Sequence, residues 1–283
     1  MIKHNKLLPL PEILAHFKLS AKKSLGQHFI LDQNLTDRIA RVASVSTNNL
    51  SSFTAIEIGP GPGGLTRSIL KQKPRHLYVI ERDRRCVEAL DILRQIYTNR
   101  LTIITGNALT LSISNIGQAP RRIIANLPYN ISTVLLINWL RQVENIDQMT
   151  LMFQTEVAER IMARPSSKAY GRLSVITQWL CEPKLEFHID KRAFVPPPKV
   201  NSSLLTLKTR SFPIYPAKFK YLEKITATAF GQRRKMLRSS LKPLDIDITA
   251  LGIDQTARAE NLSIEEFCLL AQVIERRSFD QLN

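Results

Sequence analysis

The chain is poor in the residues that build metal centres and disulfide frames. Among its 283 residues are three cysteines, Cys86, Cys181 and Cys268, isolated, odd in number and without a CxxC pair. That excludes a zinc ribbon or a disulfide scaffold and fits reduced thiols in an intracellular protein. The five histidines, His4, His16, His28, His76 and His188, show no ligand-like pairing, so no metal is expected. Long apolar runs are missing too. No stretch approaches the ~18 residues needed to cross a bilayer. Pro9, Pro11 and Glu12 interrupt the short apolar segment that follows Lys3 and Lys6, which argues against a secretory signal. No membrane contact is expected, and the expected location is cytoplasmic. Negative charge is also short: 24 acidic against 40 basic residues leave a formal net charge of +16. An excess of that size draws polyanions through counterion release, so nucleic acid is the expected partner.

Glycine is scarce as well, and its distribution is informative. Four of the ten glycines fall in six residues, Gly59-Pro60-Gly61-Pro62-Gly63-Gly64. An apolar run, 53–58, leads in, and a helix-like segment, 65–70, leads out. Strand, glycine turn and helix start in that order form the nucleotide-cradling edge of an open α/β sheet. Gly59, Gly61 and Gly64 satisfy the dinucleotide spacing, and Glu81 lies where a ribose-binding acid belongs. S-adenosylmethionine, a dinucleotide and an ordinary tight turn all remain open on this segment alone. Glu57 within the strand and the alternating prolines favour S-adenosylmethionine.

Length and periodicity extend the pattern. Residues 1–20 form an apolar-basic lead-in, and 21–30 form a basic-glycine loop. Helices are predicted over 32–45, 84–96, 131–142 and 172–181, with a further one ending at 162. Strands are predicted over 76–81, 101–106, 121–126 and 150–154. Strands alternating with helices imply a mainly parallel sheet covered on both faces. The segments 184–189 and 202–209 suit an antiparallel hairpin at the sheet edge. From 217 onward only helical periodicity is present. The expected division is therefore 1–212, an α/β domain with an N-terminal extension over about 1–20, and 213–283, a small all-helical domain.

Ligands bind beyond the carboxyl ends of parallel strands, here Gly59, Glu81, Asn107 and Asn126. Glu81 can accept from a ribose diol, and the Asn107 amide can face an adenine edge. The fourth strand runs into Asn126-Leu127-Pro128-Tyr129. An amide, a proline-fixed turn and an aromatic ring together suit an exocyclic amine on a planar base. The Asn126 oxygen and the Leu127 carbonyl would hold the amino hydrogens while Tyr129 stacks on the ring. The basic cluster Arg233, Arg234, Lys235 and Arg238, with Lys22 and Lys23 near the N-terminus, suits phosphate contacts.

The ordered segments 25–30 (LGQHFI), 57–61 (EIGPG), 79–81 (VIE), 126–132 (NLPYNIS) and 194–200 (FVPPPKV) resemble the motifs of rRNA adenine N6,N6-dimethyltransferases. The segment 229–238 (AFGQRRKMLR) is similar to the branch that modifies small-subunit rRNA. The resemblance runs from about 20 to 277. It implies a Rossmann-like, S-adenosylmethionine-dependent methyltransferase sheet, with cofactor contacts at His28, Ile30, Gly59, Glu81 and Asn126, beside Gly61 in the glycine loop. Asn107 departs from the family's usual aspartate, and an amide binding the adenine amine through its oxygen is expected to alter affinity without abolishing activity. It further implies that Tyr129 and Phe194 sandwich a target adenine. The implied substrate is two adjacent adenosines near the 3′ end of 16S rRNA in an immature 30S particle, with the enzyme acting as a monomer. A large-subunit rRNA dimethyltransferase of the macrolide-resistance type, a DNA adenine methyltransferase and an RNA-binding assembly factor are the alternatives.

Overall fold

The computed structural model describes residues 7–44 and 52–280. In chain order the elements are α1 (Leu10–His16), β1 (Phe29–Ile30), α2 (Gln33–Ser44), β2 (Thr54–Ile58), α3 (Gly64–Lys71), β3 (His76–Glu81), α4 (Arg84–Ile96), β4 (Leu101–Thr105), β5 (Arg121–Asn126) and α5 (Ser132–Leu140). They continue with β6 (Ile146–Gln154), α6 (Thr155–Met162), α7 (Arg172–Leu180), β7 (Cys181–Ile189), β8 (Phe194–Val195), β9 (Ser202–Thr209), α8 (Phe219–Phe230), α9 (Leu237–Ser240) and α10 (Ile264–Asp280). The expected end of the second helix, Val45, lies outside the described residues.

Seven strands form one sheet in the order β4-β3-β2-β5-β6-β9-β7. Strands β2 to β6 pair in parallel, and β9 returns antiparallel to β6. Every residue of β2 is buried, as a strand covered on both faces requires. From β2 the chain winds outward through β3 to β4, then crosses to β5. The strand order thus reverses between β2 and β5, the place where open sheets leave a ligand crevice. Burial differs among the helices: α3 is buried from Gly64 to Leu70, whereas α4 buries one stripe. In α4, Cys86, Ala89, Leu90 and Leu93 are buried, spaced to share a face. Asp83 caps that helix by accepting the Arg85 backbone N–H.

Several elements differ from expectation. The lead-in contains α1, which buries Leu10 and Ile13. The 21–30 segment, expected as a loop, ends in β1, which pairs antiparallel with β8. Strand β7 begins at Cys181, where a helix was expected to end, and carries Pro183. A proline that cannot donate is tolerated there because β7 is the edge strand.

The chain divides into two compact units, 1–158 with 184–209 and 159–183 with 210–283. The expected boundary after 212 lies close to the last of these divisions. Residues 159–183, expected in the α/β part, instead belong to the second unit. There the Trp179 indole N–H donates to the Tyr215 carbonyl at 2.8 Å, and the Tyr170 ring lies 6.0 Å from that of Phe230. Within this unit Leu222, Ile225 and Ala229 of α8 are buried, as are Phe267, Leu270 and Ala271 of α10.

Gly63 shows why the glycine turn tolerates no side chain. Its φ is +91°, and a Cβ there would lie 2.9 Å from Leu93 Cδ1. Gly63→Ala is expected to destabilise the chain by about 1–3 kcal/mol, the cost of a left-handed residue plus crowding. Urea unfolding followed by circular dichroism measures it.

Candidate active site

A cleft opens beyond the carboxyl ends of the parallel strands, lined by 24–30, 57–62, 64–65, 80–82, 106–109 and 126–131. It brings together His28, Ile30, Gly59, Gly61, Glu81, Asn107, Asn126, Leu127, Pro128 and Tyr129. Segment 24–30 forms its far wall. The β1–β8 pairing anchors that wall, and Gln27 braces it by donating to Asp83 Oδ2 at 3.2 Å.

Asn126 closes the gap between wall and sheet. Its Nδ2 donates to the His28 backbone carbonyl at 3.0 Å. A carbonyl can only accept, so the amide orientation is fixed and the side-chain oxygen remains free to accept. His28 is held in turn: its Nδ1 lies 2.7 Å from the Pro196 carbonyl, so that nitrogen carries the proton. The His28 ring stacks on Tyr129 with centroids 5.6 Å apart and planes 25° from parallel. The Tyr129 hydroxyl shares a 2.6 Å hydrogen bond with Ser202 Oγ, and burial raises its pKa. One face of Tyr129 is therefore taken by His28.

Two carboxylates face the glycine turn. Glu81 accepts from the backbone N–H of Gly61 at 3.0 Å through one oxygen. Its other oxygen accepts from Arg82 and Asp83, both at 2.7 Å. Burial raises its pKa, those three amides oppose the rise, and the Asp83 charge adds to it. Glu57 is fully buried, and its Oε2 has no hydrogen-bond partner among the described residues. Burial pushes its carboxyl up to about 8; Thr66 opposes the rise, without completing a hydrogen bond of good geometry, and the Glu81 charge adds to it. A +16 chain thus places two acids side by side in a cleft, Glu57 kept neutral below about 8 by its burial and Glu81 held by three backbone amides, an arrangement into which a ligand carrying positive charge fits. Gly61, at φ +55°, leaves room beside them, since a Cβ there would lie 3.0 Å from Phe29. An unpartnered buried carboxylate, a glycine cradle and a ribose-height acid fit the sulfonium cofactor S-adenosylmethionine. Among the described residues no group of three His, Cys, Asp or Glu side chains could hold a metal ion.

Asn107 lies beyond the end of β4. Its Oδ1 accepts the Leu109 N–H at 3.1 Å, so the oxygen expected to meet an adenine amine has already given one of its two lone pairs. Phe194 is a correction. The structure does not bring it to the cleft: it is 1% exposed and packs in the core with Ile30, Ile39 and Leu204. In a two-residue strand one side chain turns inward and the next outward. Here Phe194 is the inward one and Val195, 49% exposed, the outward one. Arg233 also departs from its expected role. It donates to the carbonyls of Lys168 and Tyr170 and pairs with Glu260 at 3.3 Å. Its charge is spent inside its own unit. Arg234, Lys235 and Arg238 are exposed, the first two on the turn after α8 where a helix face was expected. Lys22 and Lys23 are exposed just before the cleft wall. Gln27 and Ser202 were missed as supports. The first lies inside the LGQHFI segment, but neither bond has a local signature.

The raised Glu57 carboxyl has a stability consequence. Below about pH 4.5 it is protonated whether or not the chain is folded. Between there and about 8 the unfolded chain ionises and the folded chain does not, so stability falls as pH rises and levels off above 8. Glu57→Gln, which keeps the neutral shape, is expected to melt above the natural protein at pH 8 and level with it near pH 4. Thermal denaturation at the two pH values checks this.

The chain matches the family model for "Ribosomal RNA adenine dimethylase" over residues 18–276. It is 50% identical over 278 residues to a "Ribosomal RNA small subunit methyltransferase A" from Paramagnetospirillum magneticum, covering 97% of each chain. A protein of the same name from Rhodospirillum rubrum is 50% identical over 272 residues, covering 95% of this chain and 93% of the other. Among solved structures, a dimethyladenosine transferase from Plasmodium falciparum shares the fold with a TM-score of 0.74 at 23% identity, covering 89% of this chain and 98% of that one. The 23S rRNA methyltransferase ErmE does so at 0.64 and 23% identity, over 87% and 99%. Matched over nearly its whole length and with a cleft suited to a sulfonium donor, the chain belongs to the ribosomal RNA adenine dimethylase family.

Proposed function

We propose that this chain dimethylates the N6 amines of two adjacent adenosines near the 3′ end of 16S rRNA, within an immature 30S particle in the cytoplasm, and that it acts as a monomer. The chain is an S-adenosylmethionine-dependent rRNA adenine dimethyltransferase, and the cofactor supplies an electrophilic methyl group. The residues of the cleft supply position. Glu81 receives the ribose hydroxyls through the acceptor capacity its amide bonds leave free. Gly59 and Gly61 let the backbone approach, with His28 and Ile30 closing the wall opposite.

The observation that carries the reading is the pinned Asn126 amide. Its nitrogen is held by the His28 carbonyl, so its oxygen faces an incoming amine as an acceptor. An adenine extruded from its stack carries a nitrogen whose lone pair is delocalised into the ring. Acceptors at Asn126 and the Leu127 carbonyl would draw that nitrogen toward tetrahedral geometry and align the lone pair with the methyl group. Rate then comes from proximity and orientation, and the proton leaves to water after transfer. The free face of Tyr129 stacks on the base, with Pro128 fixing the turn between. Arg234, Lys235, Arg238, Lys22 and Lys23 contact phosphates. The large-subunit alternative shares the fold, as ErmE does, but the relatives at 50% identity are named for the small subunit.

Incubating the protein and S-adenosylmethionine separately with immature small subunits and with large subunits, followed by nucleoside mass spectrometry, tests the proposal. Dimethyladenosine is expected in the small-subunit RNA alone; its appearance only in large-subunit RNA would refute the assignment. Asn126→Ala is expected to slow methyl transfer about a hundredfold or more, the scale on which misplaced reactants lose rate.

A further inference from the structure

We propose that Asn107 meets the purine of the cofactor as a hydrogen-bond donor, so that the purine's 6-amine contributes little to binding at this position. The inference rests on the cleft being the S-adenosylmethionine site. Asn107 lines that cleft just beyond β4, and its side chain is pinned. The Leu109 N–H donates to its Oδ1 at 3.1 Å. A backbone N–H cannot accept, so turning the amide over would set two donors against each other. On the backbone side, the Asn107 carbonyl accepts both the N–H and the hydroxyl of Thr110 at 3.0 Å. The turn is therefore held from both ends. Among the described residues nothing accepts from Nδ2, so its hydrogens are available to a ligand, while Oδ1 has given one of its two lone pairs to the Leu109 N–H.

An adenine edge carries a 6-amine donor beside a ring-nitrogen acceptor. An N–H donor at 107 suits the ring nitrogen and gives the amine nothing to donate to. Asn126 is the opposite case. There a carbonyl holds the nitrogen, and the oxygen is what the cleft receives. The two amides are distinguished by the backbone group each one meets and not by their own chemistry.

The test is calorimetric titration of the full chain with S-adenosylhomocysteine and with its 6-deamino analogue, for the natural protein and for Asn107→Asp. Aspartate keeps an oxygen for the Leu109 N–H and replaces the donor by an acceptor. Its added charge acts on both ligands alike, so the ratio of their affinities isolates the purine edge. The natural protein is expected to bind the two within about twofold, and Asn107→Asp to prefer the 6-amino ligand by roughly fivefold or more, the worth of one net hydrogen bond. If the natural protein itself loses roughly fivefold when the amine is removed and the variant loses no more, the second lone pair of Oδ1 reads the amine. The assignment of Asn107 then falls while the cofactor site stands. If neither ligand binds the natural protein, the reading of the cleft falls and takes this inference with it. Thermal melting of the variant confirms that it is folded.

Discussion

One hydrogen bond, from Asn126 Nδ2 to the His28 carbonyl, ties the far wall of the cleft to the sheet. The partners are 98 residues apart in sequence. On one side the bond fixes the wall that carries His28, Phe29 and Ile30. On the other it fixes which atom Asn126 shows to a substrate. The rest of the wall depends on it: His28 stacks on Tyr129, Tyr129 bonds Ser202, and Phe29 sets the distance at which Gly61 must lack a side chain. A buried hydrogen bond is worth only about 1 kcal/mol net, so its importance is geometric. Without it the end of β5 would offer an amide free to turn over and no fixed acceptor.

The electrostatics are organised in two layers of opposite sign. The chain as a whole is strongly basic, which suits long-range attraction of RNA. The cleft carries acidic groups at short range: Glu81, whose carboxylate three backbone amides support, and Glu57, which burial keeps protonated below about 8 and which a bound cation would help to ionise. The exposed basic charges fade over about 10 Å at ordinary ionic strength, whereas the buried acids act on what enters the cleft itself. A sulfonium donor and a polyphosphate substrate can therefore be drawn to one molecule without either field cancelling the other. The paired Arg233 shows that net charge overstates the cations free to meet RNA, whereas Arg234 and Lys235 lie exposed on the adjoining turn.

Much of this was legible in the sequence because it is local. The boundaries of β3, α4 and β5 follow from periodicities that each segment carries by itself. The glycine turn betrays the crevice because backbone conformation and close packing leave glycine as the residue that fits. Non-local features were not legible. β1 and β8 are two residues each and pair across 164 positions of chain, as Ile30 opposite Phe194 shows, and neither has a pattern long enough to read. Phe194 was expected beside the substrate on the strength of the family resemblance of segment 194–200. Which way a side chain turns in so short a strand is set by the partner strand, and that turned it into the core. Residues 159–183 joined the helical unit for a similar reason: the partners of Tyr170 and Trp179 lie beyond residue 210.

The asparagines illustrate the deepest limit. Sequence places an identical side chain at the ends of β4 and β5, with β3 and β2 between them in the sheet. Identity alone implies identical hydrogen-bonding. Yet the reaction brings two adenines to this cleft, one on the donor and one on the RNA, and both carry a 6-amine. A cleft that met both with acceptors would have no hydrogen-bond basis for telling them apart. Backbone geometry supplies the asymmetry: a carbonyl at His28 turns one amide, an N–H at Leu109 turns the other. The amine to be methylated then finds an acceptor, and the amine that is only carried finds a donor. Placing such a distinction in the backbone costs no charge in the cleft and needs no second residue type.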